Sequence, residues 1–180
     1  MKTIQTELFP VVTPDGEVVG SATRQQCHDG VSMLLHPVVH LHLVAPDGSI
    51  YLQKRVMTKD IQPGKWDTAV GGHVDYGEAV GDALVREAVE ELGHRPTDAA
   101  RRVLTYVFQS ARERELVNVF AEPVGRDIQL TPAPDEIDEG RFWTPAEIAE
   151  AAVLPEGECP LTPNFVSEYG RISHLLKQLS

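Results

Sequence analysis

The sequence predicts a single-domain mixed α/β sandwich, and three observations carry that expectation. Short apolar segments follow the two-residue period of strands and are joined by turns rich in Pro, Gly and Asp. Other segments place apolar residues at helical spacing behind recognisable start signals. The strands are linked as hairpins rather than in regular strand–helix–strand repeats, which points to a mixed sheet with helices packed on it. The 180 residues, 42% of them hydrophobic, suit one domain, since domains run to about 100–200 residues.

Leu8 to Val19 carries apolar runs on either side of Thr13-Pro14-Asp15-Gly16, a hairpin signature because Pro and Asp-Gly pre-set turn dihedrals. Ser21 to His28 is polar and suits one or two helical turns. Val38 to Ala45 reads as a strand with Val39, Leu41 and Leu43 on one face and His40 and His42 on the other. Pro46-Asp47-Gly48-Ser49 turns the chain, and Ile50 to Arg55 pairs back. After a loop from Val56 to Lys65, Trp66 to Val70 is a short extended piece ended by Gly71-Gly72. Glu78 to Leu92 is helical, with Val80, Ala83, Leu84, Ala88 and Leu92 on one side and Gly93 as the stop. Val103 to Gln109, Leu116 to Val124 and Arg141 to Trp143 are further strands. Thr144-Pro145-Ala146-Glu147 and Thr162-Pro163 each start a helix with a Thr cap and Pro at the first position. The last helix docks through Phe165, Val166, Tyr169, Ile172, Leu176 and Leu179.

Lys and Arg number 16 against 27 Asp and Glu, a net charge of −11. That excludes a broad nucleic-acid binder, which carries a basic stripe. It does not exclude an anionic small-molecule substrate, provided a cation serves the site. Two cysteines, Cys27 and Cys159, are too few for a disulfide framework and read as buried or idle thiols in a reducing compartment. The first residues lack the apolar stretch of a secretion signal, and no segment approaches the ~20 apolar residues of a membrane span. A soluble, cytoplasmic protein without membrane partners is expected.

Chemistry concentrates between Gly72 and Gly93. Glu87, Glu90 and Glu91 stand at i, i+3 and i+4, so their carboxylates share a helix face. Three neighbouring acids repel one another unless a cation neutralises them. Such a face is either a solvated acidic surface laced to Arg86 or a site for a hard divalent cation, which takes oxygen ligands and substrate phosphates.

The whole segment resembles the Nudix box. Gly72, Glu78, Arg86, Glu87, Ala88, Glu90, Glu91 and Gly93 all fall on its pattern, and the one departure is His94 in place of an aliphatic residue. The resemblance implies the Nudix α/β/α sandwich, with residues 1–30 as a hairpin and short helical segment packed on a domain of residues 31–155. Residues 156–180 are then a loop and helix of the same unit. It also implies a Mg²⁺- or Mn²⁺-dependent hydrolase of nucleoside diphosphates linked to another moiety. Glu87, Glu90 and Glu91 are then metal ligands, one of them doubling as the base, and Gly71 offers its carbonyl. Glu78 and Arg86 pair to hold the loop to the helix, and Arg86 also reaches a phosphate.

The segment Leu52 to Asp67, with Thr58-Lys59-Asp60 ahead of Pro63-Gly64, is similar to the Nudix branch of type 1 isopentenyl-diphosphate isomerase. That likeness runs from about Val18 to Trp143. It implies that Arg55 and Lys59 contact the substrate diphosphate. It also implies a transition-metal centre drawn from His28, His36, His73, Glu113 and Glu115, although His28 and His36 equally suit polar or core roles. Imidazole ligands fit Zn, Mn or Fe better than Mg. His40 and His42 are read as strand residues without a ligand role. The isomerases place a catalytic cysteine where this chain has Gly71, which has no group to move a proton.

A hydrolase acting on a small-molecule diphosphate is therefore the leading expectation. An isomerase-like enzyme and a non-catalytic nucleotide-binding module are the alternatives, and a homodimer is compatible with the resemblance. Trp66, Tyr76, Phe108 and Trp143 either stack on a base or pack in the core or sheet, the ordinary use of such residues.

Overall fold

The computed structural model describes residues 7–179. The outermost parts of the two terminal segments, residues 1–6 and 180, lie outside the described residues. The chain forms β1 (Leu8–Val12), β2 (Val18–Thr23), α1 (Arg24–Cys27), β3 (Leu35–Val44), β4 (Ile50–Arg55), β5 (Trp66–Thr68) and β6 (Val70–His73). It continues with α2 (Val80–Leu92), β7 (Arg101–Gln109), β8 (Arg114–Pro123), β9 (Ile137–Trp143), α3 (Pro145–Ala152) and α4 (Pro163–Leu176). β1 and β2 form a separate hairpin, and β3 to β9 form one mixed sheet with the order β5-β4-β3-β8-β7, β6 pairing β3 and β9 pairing β4.

β3 is the spine of this sheet. Its odd-numbered residues Val39, Leu41 and Leu43 pack with Ala83, Leu84, Ala88 and Leu92 of α2. Val38 and Val44 face the other way, into a second core with Ile148 of α3 and Phe165, Ile172 and Leu176 of α4. Helices thus cover both faces, which makes the α/β/α sandwich. β3 runs parallel to β8 from Leu35↔Arg114 to Val44↔Pro123. It begins earlier than the apolar alternation indicates because Leu35, His36 and Pro37 join that ladder.

The hairpin expected between β3 and β4 exists only at its turn. The two strands pair at Val44↔Ile50 alone. Beyond it, β3 pairs with β6 through Val38↔His73 to Leu41↔Val70, while β4 pairs with β5 and β9. Residues 66–73 therefore cross from one half of the sheet to the other, and Gly71, Gly72 and His73 lie where the halves part. β9 is longer than Arg141–Trp143: it starts at Ile137 and pairs along β4 to Trp143.

The start signals of α3 and α4 act as the sequence indicates. Thr144 accepts from Glu147 N–H at 3.2 Å while the Glu147 carboxylate accepts from Thr144 N–H at 2.7 Å. Thr162 accepts from Phe165 N–H at 3.1 Å. α2 begins at Val80, two residues later than expected, with no side-chain cap at Ala79. The chain turns at Gly77 (φ 84°), and the Glu78 side chain is taken by Arg86. Gly93 closes α2 in the left-handed conformation at φ 61°.

Candidate functional site

Arg86 ties the loop before α2 to the helix. Its Nε and Nη2 each donate to the Glu78 carboxylate at 2.9 Å, a two-pronged contact, and Nη2 also donates to the His73 carbonyl at 2.9 Å. Nη1 donates to Glu87 at 2.7 Å and lies 3.5 Å from Glu90. The guanidinium is fully engaged within the loop–helix unit. Its contacts hold Glu78 below the ordinary carboxylate range despite partial burial, which pulls the other way.

Glu87, Glu90 and Glu91 line one cleft of about 1250 Å³. Glu90 is exposed. Glu91 is buried and accepts from the Gln53 side chain at 2.8 Å. Burial pushes the Glu91 carboxyl up to about 8, with neighbouring Glu87 adding to the shift. Burial also raises Glu87, against the pull of Arg86. Gly72 makes this arrangement fit, since a Cβ there would overlap the Glu87 carboxylate. The donors are all hard oxygens, a set suited to Mg²⁺ or Mn²⁺. Arg86 takes Glu87 and Glu90 while Gln53 takes Glu91, and the three acids do not form a group with all ligand oxygens within 4.8 Å of one another among the described residues.

The histidines behave differently. His28, His36, His73 and Glu115 form a group whose ligand atoms all lie within 4.8 Å of one another. His28 Nδ1 is bonded to the Arg24 carbonyl at 2.7 Å and His36 Nδ1 to the Leu34 carbonyl at 2.9 Å. A carbonyl only accepts, so each Nδ1 carries the proton; the His36 ring then turns a lone pair outward at Nε2, whereas His28 Nε2 faces the Glu113 carboxylate at 3.1 Å and gives its lone pair to a metal only when that contact is released. His36 Nε2 is buried without a hydrogen-bond partner, and His73 Nε2 lies 3.2 Å from His28 Nε2. Such convergence fits a cation. Burial lowers His36 and, more strongly, His73. Burial works against charge on His28 too, but Glu113 at 3.1 Å raises it overall. Glu113 thus pairs with His28 and stands outside the group, while Glu115, pushed up to about 7 by burial, belongs to it. Phe9 of β1 stacks on His73 with ring centroids 4.4 Å apart, and Tyr76 N–H donates to the Leu8 carbonyl at 2.8 Å. The hairpin is thereby fixed over the histidines.

Arg55 and Lys59 both line the cleft. Arg55 donates to the Ile61 carbonyl at 3.2 Å and lies 3.8 Å from Asp67, while Lys59 is ion-paired with Glu136. Trp66 and Trp143 are buried against each other with centroids 5.3 Å apart, and Arg141 caps Trp143 at 4.1 Å. Tyr76 is exposed, and Phe108 lines the cleft. Cys27 and Cys159 are buried free thiols, and burial pushes Cys27 up to about 11. His94 bonds the buried Glu122 at 2.8 Å, so this position supplies a carboxylate with a hydrogen-bond partner instead of packing as an aliphatic residue.

One cluster has no counterpart in the sequence reading. Glu168 of α4, buried, bonds His40 Nδ1 and His42 Nε2 at 2.7 Å each and accepts from the Tyr106 hydroxyl at 2.8 Å. Burial opposes charge on His40, but Glu168 outweighs it and lifts His40 to about 9; the same contacts hold Glu168 far below its ordinary range against burial. The available signal was an acid in the apolar stripe of a helix, at 168 between Phe165 and Ile172, and two imidazoles on one face of an apolar strand. Buried polar groups demand partners, and these groups complement each other.

The NUDIX domain family model matches residues 34–165. The chain is 31% identical over 157 residues to an isopentenyl-diphosphate Delta-isomerase of Mycolicibacterium vanbaalenii, covering 84% of each chain. It is 32% identical over 165 residues to an uncharacterized Nudix hydrolase of Rhodococcus erythropolis, covering 88% of this chain and 87% of that one. Among solved structures it is similar to DR0079 from Deinococcus radiodurans, with a TM-score of 0.70 and 25% identity over 96% of this chain and 99% of that one.

Proposed function

The chain belongs to the NUDIX domain family, and on that premise we propose that it is a divalent-metal-dependent hydrolase that cleaves a diphosphate linkage by water attack on phosphorus. One observation carries this reading: the Glu78–Arg86 fork presents Glu87, Glu90 and Glu91 to the same cleft that Arg55 and Lys59 line. Glu87, Glu90, Glu91 and the Gly71 carbonyl would hold Mg²⁺ or Mn²⁺. The ion, when bound, supplies charge neutralisation and Lewis acidity at the phosphate oxygens. One of the three carboxylates takes the proton from the attacking water. Arg55 and Lys59 exchange their present carboxylate partners for the diphosphate. Arg86 keeps the acids aligned, and its full set of contacts makes orientation its main task. The substrate is a small molecule, a nucleoside diphosphate derivative or a related organic diphosphate, and the protein works in the cytoplasm. Glu90→Gln or Glu91→Gln should abolish Mg²⁺-dependent product release from every diphosphate the wild type cleaves. Unchanged turnover would reject the assignment.

A second reading rests on the histidine group. The convergence of His28, His36, His73 and Glu115 supports a transition-metal centre like that implied by the isomerase likeness, and a named isomerase is among the relatives. Gly71 argues against isomerase chemistry, since it offers no side chain to protonate or deprotonate carbon. Solvent deuterium entering isopentenyl diphosphate would establish the isomerase; its absence eliminates it.

A further inference from the structure

His40 of β3 stands opposite Gly71 of β6 in the antiparallel ladder. Residues facing each other across such a pair point to the same side of the sheet. A Cβ at 71 would lie 3.5 Å from His40 Cδ2, 3.7 Å from His40 Nε2 and 3.8 Å from Thr68 Cγ2. These are ordinary contact distances, and Gly71 is not among the glycines with positive φ. The fold therefore has no need of glycine at 71, in contrast to 72. Gly71 itself lines the cleft, and the His40 side chain, 19% exposed, lies next to the place its missing Cβ would take.

The ring is held in place. Nδ1 is bonded to Glu168 at 2.7 Å, and Glu168 is itself fixed by His42 and Tyr106. Nε2 has no hydrogen-bond partner among the described residues. The other candidate phosphate ligands differ on this point. Arg55 has Asp67, Lys59 has Glu136 and Arg86 has Glu78, Glu87 and Glu90. The Gly71 backbone in turn lies near enough to the Glu91 carboxyl to favour its ionised form, and both line the cleft. Gly71 thus stands between an acid of the helix face and the His40 ring.

We propose that His40 is a further substrate-binding residue, contacting a phosphate oxygen through Nε2 beside Gly71, with Glu168 as its positioning residue. The inference rests on the diphosphate reading given above. A ring anchored before the ligand arrives loses little freedom on binding, which is how a preorganised contact adds affinity. A phosphate oxygen is the acceptor that rewards such a donor most, through a charge-assisted hydrogen bond.

The test uses the full chain and inorganic pyrophosphate with Mg²⁺ as the probe, measured by titration calorimetry. Gly71→Ala places a methyl group next to the ring without a clash, and His40→Gln removes the imidazole. Each is expected to weaken pyrophosphate binding about tenfold, the scale of one charge-assisted hydrogen bond. Mg²⁺ affinity measured alone should stay at the wild-type value in His40→Gln, and the unfolding midpoint of Gly71→Ala should match that of the wild type. Glu168→Gln should show the same split between probe and metal. Wild-type pyrophosphate affinity in both Gly71→Ala and His40→Gln overturns the inference and leaves the diphosphate reading standing. Parallel loss of Mg²⁺ and pyrophosphate affinity in His40→Gln makes the role purely structural and also overturns it. A wild-type protein that fails to bind millimolar pyrophosphate with Mg²⁺ overturns both.

Discussion

Gly72 and Glu87 share one space: the carboxylate of Glu87 fills the volume that a side chain at 72 would take, and a Cβ there would lie 2.5 Å from Glu87 Cγ. The clash falls on the flexible end of a side chain, so the fold can give way but Glu87 cannot stay. Gly72→Ala should therefore cost only about 1–3 kcal/mol in urea unfolding, the range for overpacking. Mg²⁺-dependent turnover should fall by about a hundredfold or more, the scale of a displaced catalytic group. Wild-type kinetics in this variant would show that Glu87 is not needed where it stands.

The Glu78–Arg86 fork makes a second quantity measurable. Arg86→Ala leaves Glu78, Glu87 and Glu90 without their shared cation. A hydrogen bond to a charged group contributes about 1.5–3 kcal/mol, and the loss in chemical denaturation should fall in that range. Added Mg²⁺ should restore less stability in this variant than in wild type, because the acids no longer hold one alignment.

The His40–Glu168 pair sets a pH dependence. Glu168 sits lower in the folded protein than in the unfolded chain, so its contribution is present above the unfolded value and fades as pH falls through the folded one. His40 is raised from 6.5 to about 9, so its contribution is complete below 6.5 and is lost as pH rises through about 9. Urea midpoints should decline between pH 6.5 and 9. His40→Gln should flatten that slope, and an equally steep decline in the variant would rule the pair out as its source.

The histidine group should take one equivalent of Co²⁺ or Zn²⁺. Glu115→Gln and His28→Asn are each expected to weaken it at least about tenfold, since ligand geometry and charge set the affinity of such sites. Elemental analysis after dialysis reads the stoichiometry. Full retention by both variants would place any bound metal elsewhere.

Cys27 is buried and raised to about 11. Thiolate is the reactive form, so native protein should resist alkylation at Cys27 for hours and react promptly in denaturant, as mass spectrometry of the labelled peptide would show.

The parts of the molecule that were legible in the sequence are those governed by neighbours. The alternation of Val39, Leu41 and Leu43 with His40 and His42 fixes which side of β3 meets α2. Thr144 and Thr162 announce their helices because a cap bonds three residues ahead. Distant pairings leave no local trace. Nothing near Ile50 signals that β4 leaves β3 after one pair, or that Leu52 will face Arg141. The start of β9 is masked because Asp138 and Glu139 are exposed, and Gly140 is there to admit the Tyr51 hydroxyl. At the site, the shared helix face of Glu87, Glu90 and Glu91 was readable from spacing, and Gly72, Glu78 and Arg86 only through the family resemblance. The partners of Arg55, Lys59 and His40 were not readable, since Asp67, Glu136 and Glu168 are brought to them by the sheet.

The parallel ladder of β3 and β8 also sets a timetable. Leu35 meets Arg114 and Val44 meets Pro123, with β4, β5, β6, α2 and β7 lying between the two strands in the chain. Closing so long a loop costs entropy before any rung repays it, and strand pairings of this kind are slow to form. On a ribosome, β3 would wait for its neighbour until well over half of the polypeptide had emerged. Until then β3 has only the short β6 and one rung of β4 to pair with, and its other edge stays open, which makes the nascent chain, rather than the finished protein, the form that most needs shielding from its own kind.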